Sequence, residues 1–269
     1  MQSEGSCGQS GETRNETSDR ALPDLIATEE QLDEILTRPC DLLTKAVRQI
    51  ASPLVIVGAG GKMGPTLAVL AKRAADASGR GIDVVAVSRF GNEQVRRWIE
   101  NHGVKTVACD LLDSRSVAKL PDSGNLIYLV GLKFGTGTNP SATWAVNTLA
   151  PAAVCEKYAG SRIVALSTGN VCPLVPIDSG GSVETDRLTP LREYSNAAVG
   201  RERIFEYCAE RYGSAWHCFV CFTLPSFVTE WCATSQIGFT GENPCHWPTA
   251  GSIAYGRATR TMQFFAPWS

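Results

Sequence analysis

Residues 54–64 read Leu-Val-Ile-Val-Gly-Ala-Gly-Gly-Lys-Met-Gly, and this stretch decides the fold. Leu54–Val57 is a continuous apolar run, rich in β-branched residues, of the kind buried on both faces of a parallel strand. Gly58, Gly61 and Gly64 then stand between that strand and a helical pattern from Pro65 to Ala77. The first glycine permits a tight turn, the second lets backbone approach a ligand, and the third lets helix and strand pack closely. Pro65 suits a first helical turn, where no N–H is needed. A helix opening here offers free N–H groups and its positive dipole end, worth about half a charge, to any anion on the turn.

Outward from this turn, strands and helices alternate. Ile82–Val87, Thr106–Ala108, Leu126–Val130 and Arg162–Leu166 read as strands. Glu93–His102, Ser114–Lys119, Ser141–Tyr158 and Ser195–Tyr212 read as helices. The alternation predicts an α/β fold, a Rossmann-like doubly wound parallel sheet with helices on both faces, over residues 51–216. Ahead of it, apolar residues from Leu25 to Ile50 recur at helical spacing and Pro39 divides them, so 23–50 should form two short helices. Residues 1–22 have little to bury and are expected to be a disordered tail. Residues 217–269 are expected to form a short, poorly defined C-terminal extension. Trp216–Phe222 offers one more strand, but the text beyond it, with Trp231, Trp247 and Trp268, follows neither period.

The bulk composition narrows the function. The 269 residues are 43% hydrophobic and 19% charged, as in ordinary soluble proteins. A formal charge of −2 leaves no basic footprint, so nucleic acid is not expected as a partner. The longest apolar runs, Leu126–Leu132 and Cys218–Phe222, are too short to span a membrane. The N-terminal residues lack the apolar core of a signal peptide, so a cytoplasmic location is expected. The ten cysteines are scattered, and most read as small buried hydrophobes in a reducing compartment. Cys218 and Cys221, near His217, Cys245 and His246, lie in a strand with no second close pair, so no metal is expected. Neither the substrate nor the oligomeric state has a signal in the sequence.

Strand, glycines, helix and second strand, in this order, predict that the anion is the pyrophosphate of a nicotinamide dinucleotide. Gly58, Gly61, Lys62, Met63 and Gly64 would hold it; a bare strand-to-helix turn without ligand is the plainer alternative. Lys62 either adds a cation near the phosphates or points into solvent. The second strand ends on Ser88-Arg89, where NAD-binding domains usually present an acid to the ribose hydroxyls. Ser and Arg suit a 2′-phosphate that an acid would repel, so NADP is expected ahead of NAD. The competing reading is that Arg89 stacks on adenine. Asp110-Leu111, after the third strand, either meets the adenine edge or caps the next helix.

Together these residues resemble the extended short-chain dehydrogenase/reductase superfamily, in particular its NAD-dependent epimerase/dehydratase family. The resemblance runs over Leu54–Tyr212. It includes the glycine spacing, Cys109-Asp110-Leu111, Leu129-Val130-Gly131, Asn147, Ser167-Thr168, Glu184-Thr-Asp186, Pro190 and Tyr194. It implies that Gly131 lines the nicotinamide side, that Asn147 is structural, and that Ser167, Thr168 and Tyr194 carry the chemistry. The implied activity is that of an NAD(P)-dependent epimerase/dehydratase or oxidoreductase acting on a sugar-like or other hydroxyl or carbonyl substrate.

One departure bears on mechanism. The family's Tyr is followed four residues later by a Lys that lowers its pKa, and here that position is Ala198. An unassisted phenol titrates near 10, so only about a thousandth is phenolate at neutral pH. Tyr194 either still acts as an acid or only packs. Arg201, seven residues on and roughly on the same helix face, either supplies charge or serves solvent. The alternative to an enzyme is a catalytically impaired NAD(P)-binding protein acting as a sensor or interaction partner. The tail also admits an out-of-frame reading. Ile253–Thr261 can be back-translated so that a shifted frame spells Ile-Trp-Gln-Gly-Asp-Ala-Asn, which resembles a motif in the substrate lobe of epimerase-like homologues.

Overall fold

The computed structural model describes residues 23, 25–176, 179, 181–183, 185–221 and 255–257. The tail 1–22, Glu184, and most of the segment given the out-of-frame reading lie outside these residues. The chain divides into two units, Met1–Ile35 and Leu36–Ser269. At the end of the first runs α1 (Glu29–Leu36). Its start is fixed by Thr28, whose hydroxyl accepts from Gln31 N at 3.2 Å, while the Gln31 side chain accepts from Ala27 N at 2.8 Å.

The second unit holds α2 (Asp41–Val47), then β1 (Leu54–Val57), α3 (Gly64–Ser78), β2 (Val84–Ser88), α4 (Glu93–Asn101), β3 (Lys105–Ala108), α5 (Ser114–Ala118) and β4 (Asn125–Tyr128). It continues through α6 (Pro140–Trp144), α7 (Ala150–Lys157), β5 (Arg162–Thr168), α8 (Arg192–Tyr212), β6 (Trp216–Cys221) and β7 (Tyr255–Arg257). The strands form one sheet in the order β3-β2-β1-β4-β5-β6-β7. β1 to β6 pair in parallel, and β7 joins β6 antiparallel. This is the doubly wound Rossmann-like sheet expected from the alternation. Its order reverses between β1 and β4, so a crevice opens there at the carboxyl ends of the strands.

Alternation along the strands divides the core between two faces. Val55 and Val57 of β1 face one cluster with Val85, Val87, Leu126, Tyr128, Ile163, Val154 and Phe205. Leu54 and Ile56 face the other, with Val84 and Ala86 against Ala68, Ala71, Ala74 and Ala75 of α3. The alanine stripe brings α3 close to the sheet, which fixes where its N-terminus ends up. No helix among the described residues is long and apolar enough to cross a membrane.

The structure departs from the sequence reading at the expected helix over Ser141–Tyr158. Residues Ala145–Leu149 form a π-helical turn between α6 and α7, with Ala150 N donating to Ala145 O. Pro151 explains it: it has no N–H to give Asn147, and its ring would strike that carbonyl in a straight α-helix. The next helix, α8, packs closely against this turn. A Cβ at Gly200 would lie 3.2 Å from Thr148 Cγ2.

Candidate functional site

The chain turns as soon as it leaves β1. Gly58 N and Ala59 N both donate to Val87 O, at 2.8 and 3.1 Å. Gly58 has φ 90°, and a Cβ there would lie 2.9 Å from Val130 Cγ2 and 3.0 Å from Val130 N. Gly64 opens α3 directly against Ala59: a Cβ would lie 2.5 Å from Ala59 O and 2.6 Å from its carbonyl carbon. Gly61 is different. It is exposed, and an added Cβ would meet only Gly58 O, at 3.3 Å. Two of the glycines are therefore demanded by the chain's own packing, while the third leaves a bare surface.

That surface fits an anion. The N–H groups of Gly60, Lys62 and Met63 have no acceptor among the described residues, and they precede a helix of 15 residues with no acid in its first turn. Lys62 is exposed. A Cβ at Gly60 would lie 2.5 Å from Ser88 Oγ, so the turn rests on the end of β2. Ser88 Oγ also accepts from Phe90 N at 3.5 Å. Arg89 is exposed and has no hydrogen-bond or ionic partner among the described residues.

Past β3, Asp110 is exposed and its Oδ1 accepts from Leu112 N at 3.0 Å. It does not cap the following helix. Asp113 does, accepting from Arg115 N at 3.1 Å. Leu111 is buried in the core. Asp110 and the glycine turn thus stand at the same carboxyl edge of the sheet, beyond β3 and β1.

Beyond β4 the polar groups go inward. Asn147, fully buried in the π-turn, donates through Nδ2 to Thr143 O at 2.8 Å and Leu132 O at 3.3 Å. Its Oδ1 accepts from Arg201 Nη1 at 2.8 Å, and the same nitrogen donates to Val130 O at 3.0 Å. Arg201 therefore serves backbone and Asn147, not solvent. It lies against Gly131, where a Cβ would come within 2.7 Å of Nη1. Tyr128 is buried in the same region and its hydroxyl has no hydrogen-bond partner among the described residues. Burial pushes this phenol's pKa well up, against the opposing pull of Arg201.

At the end of β5, the two adjacent hydroxyls differ. Ser167 donates to the buried carboxylate of Glu202 on α8. Thr168 Oγ1 accepts from Asn170 N at 3.3 Å and keeps its own proton to offer. Tyr194 sits half-buried in the first turn of α8, with no hydrogen-bond partner among the described residues. Its neighbour Glu193 accepts from Trp144 Nε1 at 2.5 Å, tying the helix start to α6. Ala198, where the resemblance calls for Lys, is fully buried.

A cavity of about 490 Å³ lies between these parts, lined among others by Gly169, Asn170, Leu174, Arg192 and Ser195. The residues just after Thr168 and those flanking Tyr194 thus border one space. Reasoning from the sequence did not single out Glu202. The signal was present, since Tyr194, Ala198 and Glu202 follow one another at i, i+4 and i+8 on one helix stripe. An anion held at the glycine turn and a polar substrate held in this cavity would lie along the same edge of the sheet.

The sequence profile of the family described as "NAD dependent epimerase/dehydratase family" matches residues 54–226. Among solved structures, the chain is similar to dTDP-glucose 4,6-dehydratase from Streptomyces venezuelae with NAD bound, at 18% identity and TM-score 0.55. That match covers 63% of this chain and 55% of the dehydratase. UDP-glucuronic acid 4-epimerase from Bacillus cereus in complex with NAD matches at 17% identity and TM-score 0.54, over 64% of this chain and 57% of its own. UDP-glucose 4-epimerase from Thermotoga maritima with UDP-glucose matches at 17% identity and TM-score 0.50, over 62% and 54%. The chain therefore spans about half the length of these proteins, and at such identity they show a shared fold. No curated protein matches the chain.

Proposed function

As the chain belongs to the NAD dependent epimerase/dehydratase family, we propose that it binds a nicotinamide dinucleotide and acts on a hydroxyl- or carbonyl-bearing carbon of a sugar-like substrate. The observation that carries this reading is the glycine turn, which offers unfilled N–H donors and the bare face of Gly61 at the opening of α3. Gly58, Gly61, Lys62, Met63 and Gly64 hold the pyrophosphate. Ser88 and Arg89 take the adenosine ribose, Asp110 and Leu111 the adenine side, and Gly131 the nicotinamide side. The solved neighbours from Streptomyces venezuelae and Bacillus cereus hold NAD. Here Arg89, exposed at the end of β2 and without an ionic partner among the described residues, favours NADP.

The bound dinucleotide supplies a hydride acceptor and donor. Thr168 Oγ1 donates to the substrate oxygen and orients it. Tyr194 Oη exchanges the proton that this oxygen gains or loses. Ser167, committed to Glu202, braces the end of β5 beside Thr168. On this reading residues 51–216 are the cofactor domain.

Titration of the full chain with NAD(H) and NADP(H), followed by thermal melting, tests the reading. Ligand at a hundredfold its Kd should add about 2.7 kcal/mol. Arg89→Asp should lose the NADP preference, and equal preference in both proteins would remove Arg89 from the argument. Melting unmoved by every cofactor would end the dinucleotide assignment. Tyr194→Phe should keep cofactor binding and lose about a hundredfold or more in turnover. Undiminished hydride transfer in that variant would remove Tyr194 from the mechanism.

A further inference from the structure

The fold carries a guanidinium inside it. Arg201 is 3% exposed, and its Nη1 bonds two neutral acceptors, Val130 O and Asn147 Oδ1. Among the described residues no ion pair joins it to a carboxylate, and the adjacent Glu202 accepts from Ser167 among its contacts. A buried charge without a counter-ion is costly to fold. An uncharged amide could serve the same two acceptors at less expense. The charge is also not placed at random: the guanidinium lies against Gly131, which is exposed at the end of β4. No side chain grows from Gly131 to stand between them, and one could not, because a Cβ there would strike Nη1.

We propose that Arg201 is the electrostatic substitute for the cation absent at Ala198, a fixed positive charge behind Gly131 that biases the nicotinamide site towards the reduced cofactor. The inference rests on the dinucleotide reading above. The oxidised nicotinamide ring is cationic and the reduced ring is neutral. A nearby buried cation therefore raises the free energy of the oxidised form relative to the reduced one and favours hydride acceptance. A unit charge acting over roughly 10 Å through an effective dielectric of about 20 shifts such an equilibrium about tenfold. Arg201 is thus a positioning and charge-supplying residue, held in register by Asn147.

The test is binding, not turnover. Dissociation constants for NAD⁺ and NADH, and for NADP⁺ and NADPH, are measured by titration on the full chain and on Arg201→Met, Arg201→Gln and Arg201→Lys. The native chain should bind the reduced member of a pair about tenfold tighter or more. Arg201→Met and Arg201→Gln should bring the two members to within about threefold, while Arg201→Lys keeps most of the bias. A merely structural Arg201 would weaken both members alike and leave their ratio unchanged, which overturns the proposal. Equal affinity for both members in the native chain overturns it too, even should the uncharged variants fail to fold. Failure of the native chain to bind either pair is a different result: it sinks the dinucleotide reading itself, and this inference with it.

Discussion

Gly61 and Gly64 are chemically the same residue three positions apart, and the structure assigns them opposite duties, so replacing each with alanine separates folding from binding. At Gly64 the new methyl would sit 2.5 Å from Ala59 O and 2.6 Å from its carbonyl carbon, against about 3.5 Å for an unstrained contact. Both neighbours are backbone, so α3 must retreat by about 1 Å. A gap of that size forfeits a quarter to a half of each dispersion contact between the α3 alanines and the sheet. Overpacking costs about 1–3 kcal/mol, and a rigid neighbour puts this site near about 3. At about 2–4 °C per kcal/mol for a unit of this size, Gly64→Ala should melt about 6–12 °C lower. Gly61→Ala places its methyl 3.3 Å from Gly58 O alone, so it should melt within about 2 °C of the native chain. It should instead weaken cofactor binding, because the methyl occupies the face on which the phosphates rest. Circular dichroism melts and cofactor titrations on both variants read the two effects. A Gly64→Ala protein as stable as the native one would refute the packing argument, and unchanged cofactor affinity in Gly61→Ala would refute the phosphate argument.

Three further outcomes are expected. Tyr128→Phe removes a buried hydroxyl that has no partner among the described residues, so it should be neutral or stabilising by up to about 2 kcal/mol in urea unfolding; clear destabilisation would mean that the hydroxyl is satisfied. Asn147→Ala strips Arg201 of one acceptor and the Leu132 and Thr143 carbonyls of their donor. It should cost about 3 kcal/mol or more, and a urea midpoint unchanged from the native chain would contradict this. The third concerns pH. The Thr106 hydroxyl, then Arg96, holds the Glu100 carboxyl below its ordinary range. A depressed carboxyl adds stability above its unfolded pKa and loses it as pH falls through the folded value. The stability gap between the native chain and Glu100→Gln should therefore be full at neutral pH and close in acid; a gap that widens in acid would reverse the sign.

The parts of the fold that the sequence made legible are those with local causes. β1 coincides with the Leu54–Val57 run, and the glycines fall where the turn and the approach of α3 need them. Boundaries that depend on a distant strand were harder to see. β5 reaches Thr168 rather than Leu166 because Ser167 and Thr168 still pair with Val220 and Cys221 of β6. β2 begins at Val84, not Ile82; just before it, the Asp83 carbonyl accepts from Leu54 N and its carboxylate pairs with Lys105. In the candidate site, Ser167, Thr168 and Tyr194 were visible as residue types, but their partners were not. Ser167 meets Glu202 across 35 positions, and Arg201 meets Asn147 across 54 and Val130 across 71. Arg and Glu in a helix are normally read as solvent-facing, and here both are buried. Close packing of α8 on the π-turn, allowed by Gly200, brings Arg201 to Asn147, and packing of α8 on β5 brings Glu202 to Ser167.

The π-turn at Ala145–Leu149 also sets a phase relation between the two halves of its helix. Each α-helical residue advances the face by about 100°, so taking one residue out of this turn would rotate all of α6 by about that angle against α7. Trp144 would swing off Glu193, and the N-terminal turn of α8 would lose its tether. A one-residue deletion here, harmless in an ordinary surface helix, would thus misalign the tyrosine without touching any residue of the site.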